Sequence, residues 1–247
     1  MENKPKNYLN DEHLSIGTRE YLRVLNAGGR PVESLPVAEA RKVLADVQAA
    51  VEVDLSGIDE RGREIVADGH ALTLHLVRPH GSRGRPPYFV FIHGGGWVLG
   101  DYPTHRRLVR DLVVESEVAA VFVDYTPSPE AKYPQAVDEI YAAVKWVAEN
   151  DAELDLDRRR MALVGNSAGG NMALAAALLA KKRHAPAVRA LVLLWPVTSA
   201  SSDWKSYALY GGERFLTAPL MKWMFDRYTT DARAREEILL SPVNASR

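Results

Sequence analysis

The sequence predicts an α/β fold: a mostly parallel β-sheet with helices covering both faces. Three features of its pattern lead there. Apolar runs of strand length recur along the chain, "YFVFIH" at 88–93, "AAVFVD" at 119–124, "MALVG" at 161–165 and "ALVLLW" at 190–195. Segments with helical spacing of apolar residues separate them. The runs are continuous rather than alternating, which marks strands buried on both faces, as parallel sheets require.

In chain order, residues 11–28 and 36–50 carry helix-period apolar positions, with Pro31 and Pro36 between them. "EIVADG" and "LTLHLVRP" read as a hairpin turned near Asp68–Gly69, since Asp-Gly suits the positive φ angles of a tight turn. Helices are expected over about 104–116 and 134–149, and another opens at Ser167. From 199 to about 235 the chain turns irregular and aromatic, with Trp204, Tyr207, Tyr210, Phe215, Trp223, Phe225 and Tyr228. That composition suits a lid over the carboxyl ends of the strands, where open α/β sheets bind ligands.

Composition narrows the function. The 247 residues suffice for one large domain or two small ones, and 47% apolar content excludes disorder. Lys and Arg (31) nearly cancel Asp and Glu (32), so no global basic field attracts nucleic acid. The basic runs Arg158–Arg160 and Lys181–Arg183 lie at element ends and read as solvated surface. Cysteine is absent, which removes disulfides, thiolate metal sites and a thiol nucleophile together. "MENKPKNYLNDEHL" has no apolar core of signal-peptide length, and no run reaches the ~18 apolar residues of a membrane span. A cytoplasmic protein is expected. No metal or other cofactor is implied: no H-x-x-x-H occurs, and "DAELDLD" lacks the glycine and final Glu of a calcium loop.

Two motifs carry chemistry. "G-N-S-A-G" at 165–169 fits G-x-S-x-G between an apolar strand and an Ala/Leu-rich helix. A nucleophile elbow needs that setting, a sharp turn presenting serine at the top of the sheet. The plainer reading makes Ser167 a helix N-cap in a glycine-rich turn. The second motif, "F-I-H-G-G-G-W" at 91–97, follows another strand end. Three consecutive glycines leave backbone N–H groups unshielded, as an oxyanion hole requires, where one donor is typically worth ~3 kcal/mol of barrier. His93 reads as a hydrogen bonder that fixes this loop rather than as a base.

Together "HGGGW" and "GNSAGGN" resemble the hormone-sensitive-lipase-like branch of α/β-hydrolase esterases. "VDYTPSPEAKYPQAVDEIYAAVKWV" between them and "LSPVNAS" near the end are similar to further blocks of that family, so the resemblance covers roughly residues 50–247. It implies an α/β-hydrolase core with about six of the usual eight strands, a helical cap, and a small-molecule ester substrate. It implies Ser167 as nucleophile and an oxyanion hole from the N–H groups of Gly95, Gly96 and Ala168. The expected organisation is a single structural domain: cap helices in 1–55, core in 56–198, a second cap segment in 199–235, and a return to the core in 236–247. Trp97, Trp195, Phe215 and Trp223 are candidates for an apolar pocket, with the core as the alternative for each. Asn166 stands where the family commonly has Asp, a departure with no evident catalytic consequence.

The rest of a triad is missing. The family's order is nucleophile, acid, histidine. After Ser167 the one histidine is His184, 17 residues on, at the far end of the same helix and roughly 25 Å away at 1.5 Å per residue. His70, His75 and His80 belong to the hairpin, and His105 starts a helix behind the glycine loop. Three readings follow: a C-terminally incomplete esterase, an inactive relative that binds a ligand or a partner, or an unlike base such as His93. In the first, absent strands would leave "ALVLLW" as an open sheet edge, which predicts self-association through Ala190–Trp195.

Overall fold

The computed structural model describes residues 7–245. Residues 1–6 and 246–247, the outer ends of the proposed cap and return segments and of "MENKPKNYLNDEHL", lie outside them. Six strands form one sheet in the order β1-β2-β4-β3-β5-β6: β1 (Ile58–Ala67), β2 (His70–Pro79), β3 (Tyr88–Ile92), β4 (Ala119–Asp124), β5 (Met161–Asn166) and β6 (Ala190–Leu194). β2 pairs antiparallel with both β1 and β4, while β4, β3, β5 and β6 run parallel. The predicted hairpin turn is a two-residue loop with Asp68 at φ 47° and Gly69 at φ 88°, joining the pair Ala67 and His70. Positive φ at both central residues matches the twist of the flanking strands.

The continuous apolar runs are central strands. All of β3 is buried, and so are the apolar residues of β4. One face packs Phe89, Phe91, Phe122 and Val164 against Val109 and Val113 of helix α3 (Tyr102–Ser116). The other packs Val90, Ile92, Val121 and Leu163 against α4 (Gln135–Glu149) and α5 (Ala168–Lys182). α3 begins two residues earlier than the apolar pattern marks, because Asp101 and Thr104 form a reciprocal capping box. The first predicted helix is shorter than 11–28: α1 covers Ile16–Leu25, capped by Ser15, behind a short 3-10 turn at Tyr8–Asn10. The second, α2, covers Val37–Ala49.

Arg41 of α2 ties the N-terminal segment to the sheet top. Its guanidinium donates to the carbonyls of Val98 (2.8 Å) and Ser128 (2.9 Å) and pairs with Glu130 at 2.6 Å. Residues 199–235 supply α6 (Lys205–Tyr210) and α7 (Ala218–Tyr228). α7 buries Leu220, Met221, Trp223, Met224, Phe225 and Tyr228 beneath the loop after β3. No helix among the described residues is long and apolar enough to cross a membrane.

β6 differs from the other parallel strands. It pairs with β5 alone among the described strands, and its Leu191 and Val192 are 39% and 43% exposed. Unpaired N–H and C=O groups beside exposed apolar side chains form a template for strand addition. Sedimentation velocity at tens of micromolar is expected to show self-association that Val192→Lys reduces. A monodisperse monomer for the unchanged chain contradicts this.

Candidate active site

The loops after β3, β5 and β6 meet at one end of the sheet, and Ser167 stands among them. It joins β5 to α5 with φ 54° and ψ −123°, a conformation that L-residues rarely adopt. Neighbouring loops hold it there. Its N–H donates to the Leu194 carbonyl (2.9 Å), and its own carbonyl accepts from Asn171 (3.1 Å) and Val197 (3.2 Å). Gly165 and Gly169 let the turn close, since a Cβ on Gly169 would fall on the Ile92 carbonyl oxygen and one on Gly165 on the Gly169 carbonyl. The hydroxyl of Ser167 makes no capping bond to α5. Ser167 thus holds the N-cap position without the side-chain bond that the simple N-cap reading requires.

The glycine loop lies directly opposite. A Cβ on Gly94 would come within 3.1 Å of the Ser167 Cβ. Among the described residues, no protein acceptor takes the N–H of Gly95, Gly96 or Ala168. The loop is anchored from below. Trp97, at φ 63°, turns away from the cleft and stacks on Tyr228 with ring centroids 4.7 Å apart. Its carbonyl accepts from the Ser128 N–H at 2.7 Å, and Met224 packs where a Gly96 side chain would be.

A cleft of ≈ 660 Å³ opens beside Ser167, lined by Trp195, Val197, Tyr207, Leu216 and Met221 among others. Of the four aromatic candidates, Trp195 alone lines it. Trp97 is fully buried, and Trp223 is buried on α7 with the Arg227 guanidinium 3.8 Å from its ring centre. Phe215 is exposed outside the cleft. Trp97 goes to the core because its positive φ reverses the side chain, and Trp223 because it lies on α7's buried face. Asn171 closes the motif "GNSAGGN", but the motif alone assigns it no partner. It is buried and donates from Nδ2 to the carbonyls of Val197 (2.9 Å) and Leu240 (2.8 Å), joining "LSPVNAS" to the cleft wall.

Among the described residues, no histidine, aspartate or glutamate lines the cleft. His93 is 1% exposed, its Nδ1–H donates to the Gly94 carbonyl (2.7 Å), and Tyr125 stacks on its ring with centroids 4.2 Å apart. The Tyr125 hydroxyl donates to the His93 carbonyl at 3.0 Å. His93 thus fixes the loop, as its sequence position suggested. Burial, and next the neighbouring His105, hold its imidazole well below the usual histidine range, and burial lowers His105 also. His184 lies at the other end of α5, beside a separate cleft of ≈ 630 Å³.

The sheet order and the strand–serine–helix turn define an α/β-hydrolase fold, and the chain belongs to that family, in its hormone-sensitive-lipase-like esterase branch. The family described as alpha/beta hydrolase fold matches residues 89–247. An ethyl acetate hydrolase of Pseudomonas putida is 31% identical over 238 residues, 92% of this chain and 74% of that protein. An alpha/beta hydrolase of Acanthamoeba polyphaga mimivirus is 32% identical over 221 residues, 88% of this chain but 62% of its own length. Among solved structures, a thermostable esterase from Pseudomonas putida ECU1011 superposes with TM-score 0.94 at 51% identity. That match covers 96% of this chain and 75% of the esterase.

Two stability effects follow. Glycine adopts the Ser167 conformation without strain, so Ser167→Gly is expected to raise stability by about 1 kcal/mol in urea titration, where Ser167→Ala leaves it unchanged. Equal midpoints for the two variants contradict the strain. Histidines held neutral in the fold take up protons only on unfolding. Stability is therefore full above about pH 6.5 and falls below it, by up to ~1.4 kcal/mol per pH unit for His93, with His105 acting in the same direction. A urea midpoint unchanged between about pH 7.5 and 5.5 contradicts this.

Proposed function

We propose that this chain carries the nucleophile and oxyanion site of a carboxylic ester hydrolase for short- to medium-chain esters. The observation that carries the reading is Ser167 itself: strained, uncommitted as a cap, and beside a glycine loop in which the Gly95 and Gly96 N–H groups have no protein acceptor. In the proposed reaction the Ser167 Oγ bonds to the ester carbonyl carbon and its proton passes to a base. The carbonyl oxygen takes the negative charge against the N–H groups of Gly95, Gly96 and Ala168. The C–O bond to the alcohol then breaks, the alcohol leaves with a proton, and water releases the acid from the serine. The apolar wall formed by Trp195, Leu216 and Met221 suits an alkyl chain. The ester hydrolases among the relatives support this substrate class.

Because no histidine or carboxylate lines the cleft, the described residues supply the nucleophile without an adjacent base. Loss of a base typically costs ~10⁶ in turnover, which takes an ordinary ~10 s⁻¹ to about one event per day. The same observation favours a second reading, a hydrolase-fold protein that binds an ester or acid without cutting it.

The test uses p-nitrophenyl butyrate, whose phenolate leaves without needing a proton. Water or buffer then takes the Ser167 proton, so acylation proceeds slowly, while deacylation, in which a base must activate water against a less reactive alkyl ester, stalls. Peptide mapping by mass spectrometry is expected to find butyryl on Ser167 in the unchanged chain, and none after Ser167→Ala. Saturable binding with no adduct favours the second reading, and equal labelling of both proteins at another residue overturns the first.

A further inference from the structure

Asn166, beside the elbow serine, has no part in the reaction above, yet its side chain is satisfied at both ends. Its Oδ1 accepts the Gly94 N–H at 2.9 Å. Its Nδ2 faces His105 Nε2 at 3.4 Å. The other ring nitrogen, Nδ1, lies 3.3 Å from the Asp101 carbonyl and 3.1 Å from Thr104 Oγ1. A carbonyl oxygen can only accept, so Nδ1 carries the hydrogen and Nε2 offers its lone pair to Asn166. One neutral tautomer meets both contacts. An imidazolium would set a second N–H against the Asn166 amide.

The groups around this ring are few. Asp101 caps its own helix, and the His93 ring lies 5.3 Å away from the β3 side with Asp124 acting on it from the end of β4. Phe91 of β3 supplies the apolar floor, 6.3 Å away between ring centres. Gly94 immediately precedes the two glycines whose amides face the nucleophile, so whatever holds Gly94 sets their distance from Ser167.

Taking the nucleophile and oxyanion assignments as given, we propose that Asn166 is a positioning residue. With neutral His105 it forms a strut that holds the glycine loop at its working distance from Ser167. An amide at this position keeps the strut intact through the pH range where histidines ordinarily titrate. A carboxylate would accept the Gly94 N–H equally well, but it has no N–H for His105 and would draw a proton onto the ring.

The isosteric Asn166→Asp and the truncating Asn166→Ala separate this role from simple packing, in the full ¹⁵N-labelled chain. In the unchanged protein, ring-nitrogen NMR is expected to show His105 neutral, protonated at Nδ1, at and above about pH 6.5. In Asn166→Asp, His105 titrates at higher pH, and butyryl transfer to Ser167 gains a pH inflection at the same place. In Asn166→Ala, the Gly94 amide exchanges its hydrogen about tenfold faster, and acylation slows by a similar factor with no new inflection. A proton on Nε2 in the unchanged protein overturns the proposal, as does Gly94 exchange unaltered by Asn166→Ala. If Ser167 takes no butyryl group in any variant, the hydrolase reading fails. The ring tautomer and Gly94 exchange still decide the strut.

Discussion

Everything at the top of the sheet depends on one close approach. The first turn of α5 lies so near the end of β3 that Gly169 has no room for a side chain beside the Ile92 carbonyl. That contact forces the chain from β5 into α5 through a single residue, which must take a positive φ. A serine there is lifted out of the helix, and its hydroxyl is left free of the capping bond it would otherwise make. The strain is offset by the hydrogen bond that Ser167 donates to Leu194, by those it accepts from Asn171 and Val197, and by the buried sheet beneath.

The glycine loop is held to the same standard from three sides. α7 supports it from below through Met224 and the Trp97–Tyr228 stack. From the N-terminal side, Arg41 holds the Val98 and Ser128 carbonyls. At its start, His93 donates to the Gly94 carbonyl while Asn166 takes the Gly94 N–H. Segments distant in sequence thus converge on one stretch of backbone. Such over-determination holds the glycine loop in one conformation.

The fold was legible because its signals are local. Continuous apolar runs marked β3 to β6, Asp-Gly marked the hairpin, and G-x-S-x-G between strand and helix marked the elbow. The boundaries of α1 and α3 were less legible, since capping by Ser15 and Asp101 decides them rather than periodicity. The aromatic residues were the hardest to place. Whether Trp97 or Trp223 faces a cleft or the core depends on one φ angle and on how α7 sits, and composition encodes neither. Arg41, Asn166 and Asn171 act across long sequence separations, so no window of the sequence shows what they hold. In Asn166 the usable signal was the departure from the family's Asp, which has meaning only beside His105.

The central claim is that Ser167 and the amides of Gly95, Gly96 and Ala168 share one reacting centre. A crystal structure of the chain after reaction with a p-nitrophenyl phosphonate tests it most directly. The account predicts phosphorus bonded to Ser167 Oγ and the phosphoryl oxygen about 2.7–3.1 Å from those three nitrogens. A phosphonyl group on Ser167 whose oxygen points to solvent, or a serine left unmodified, would contradict it.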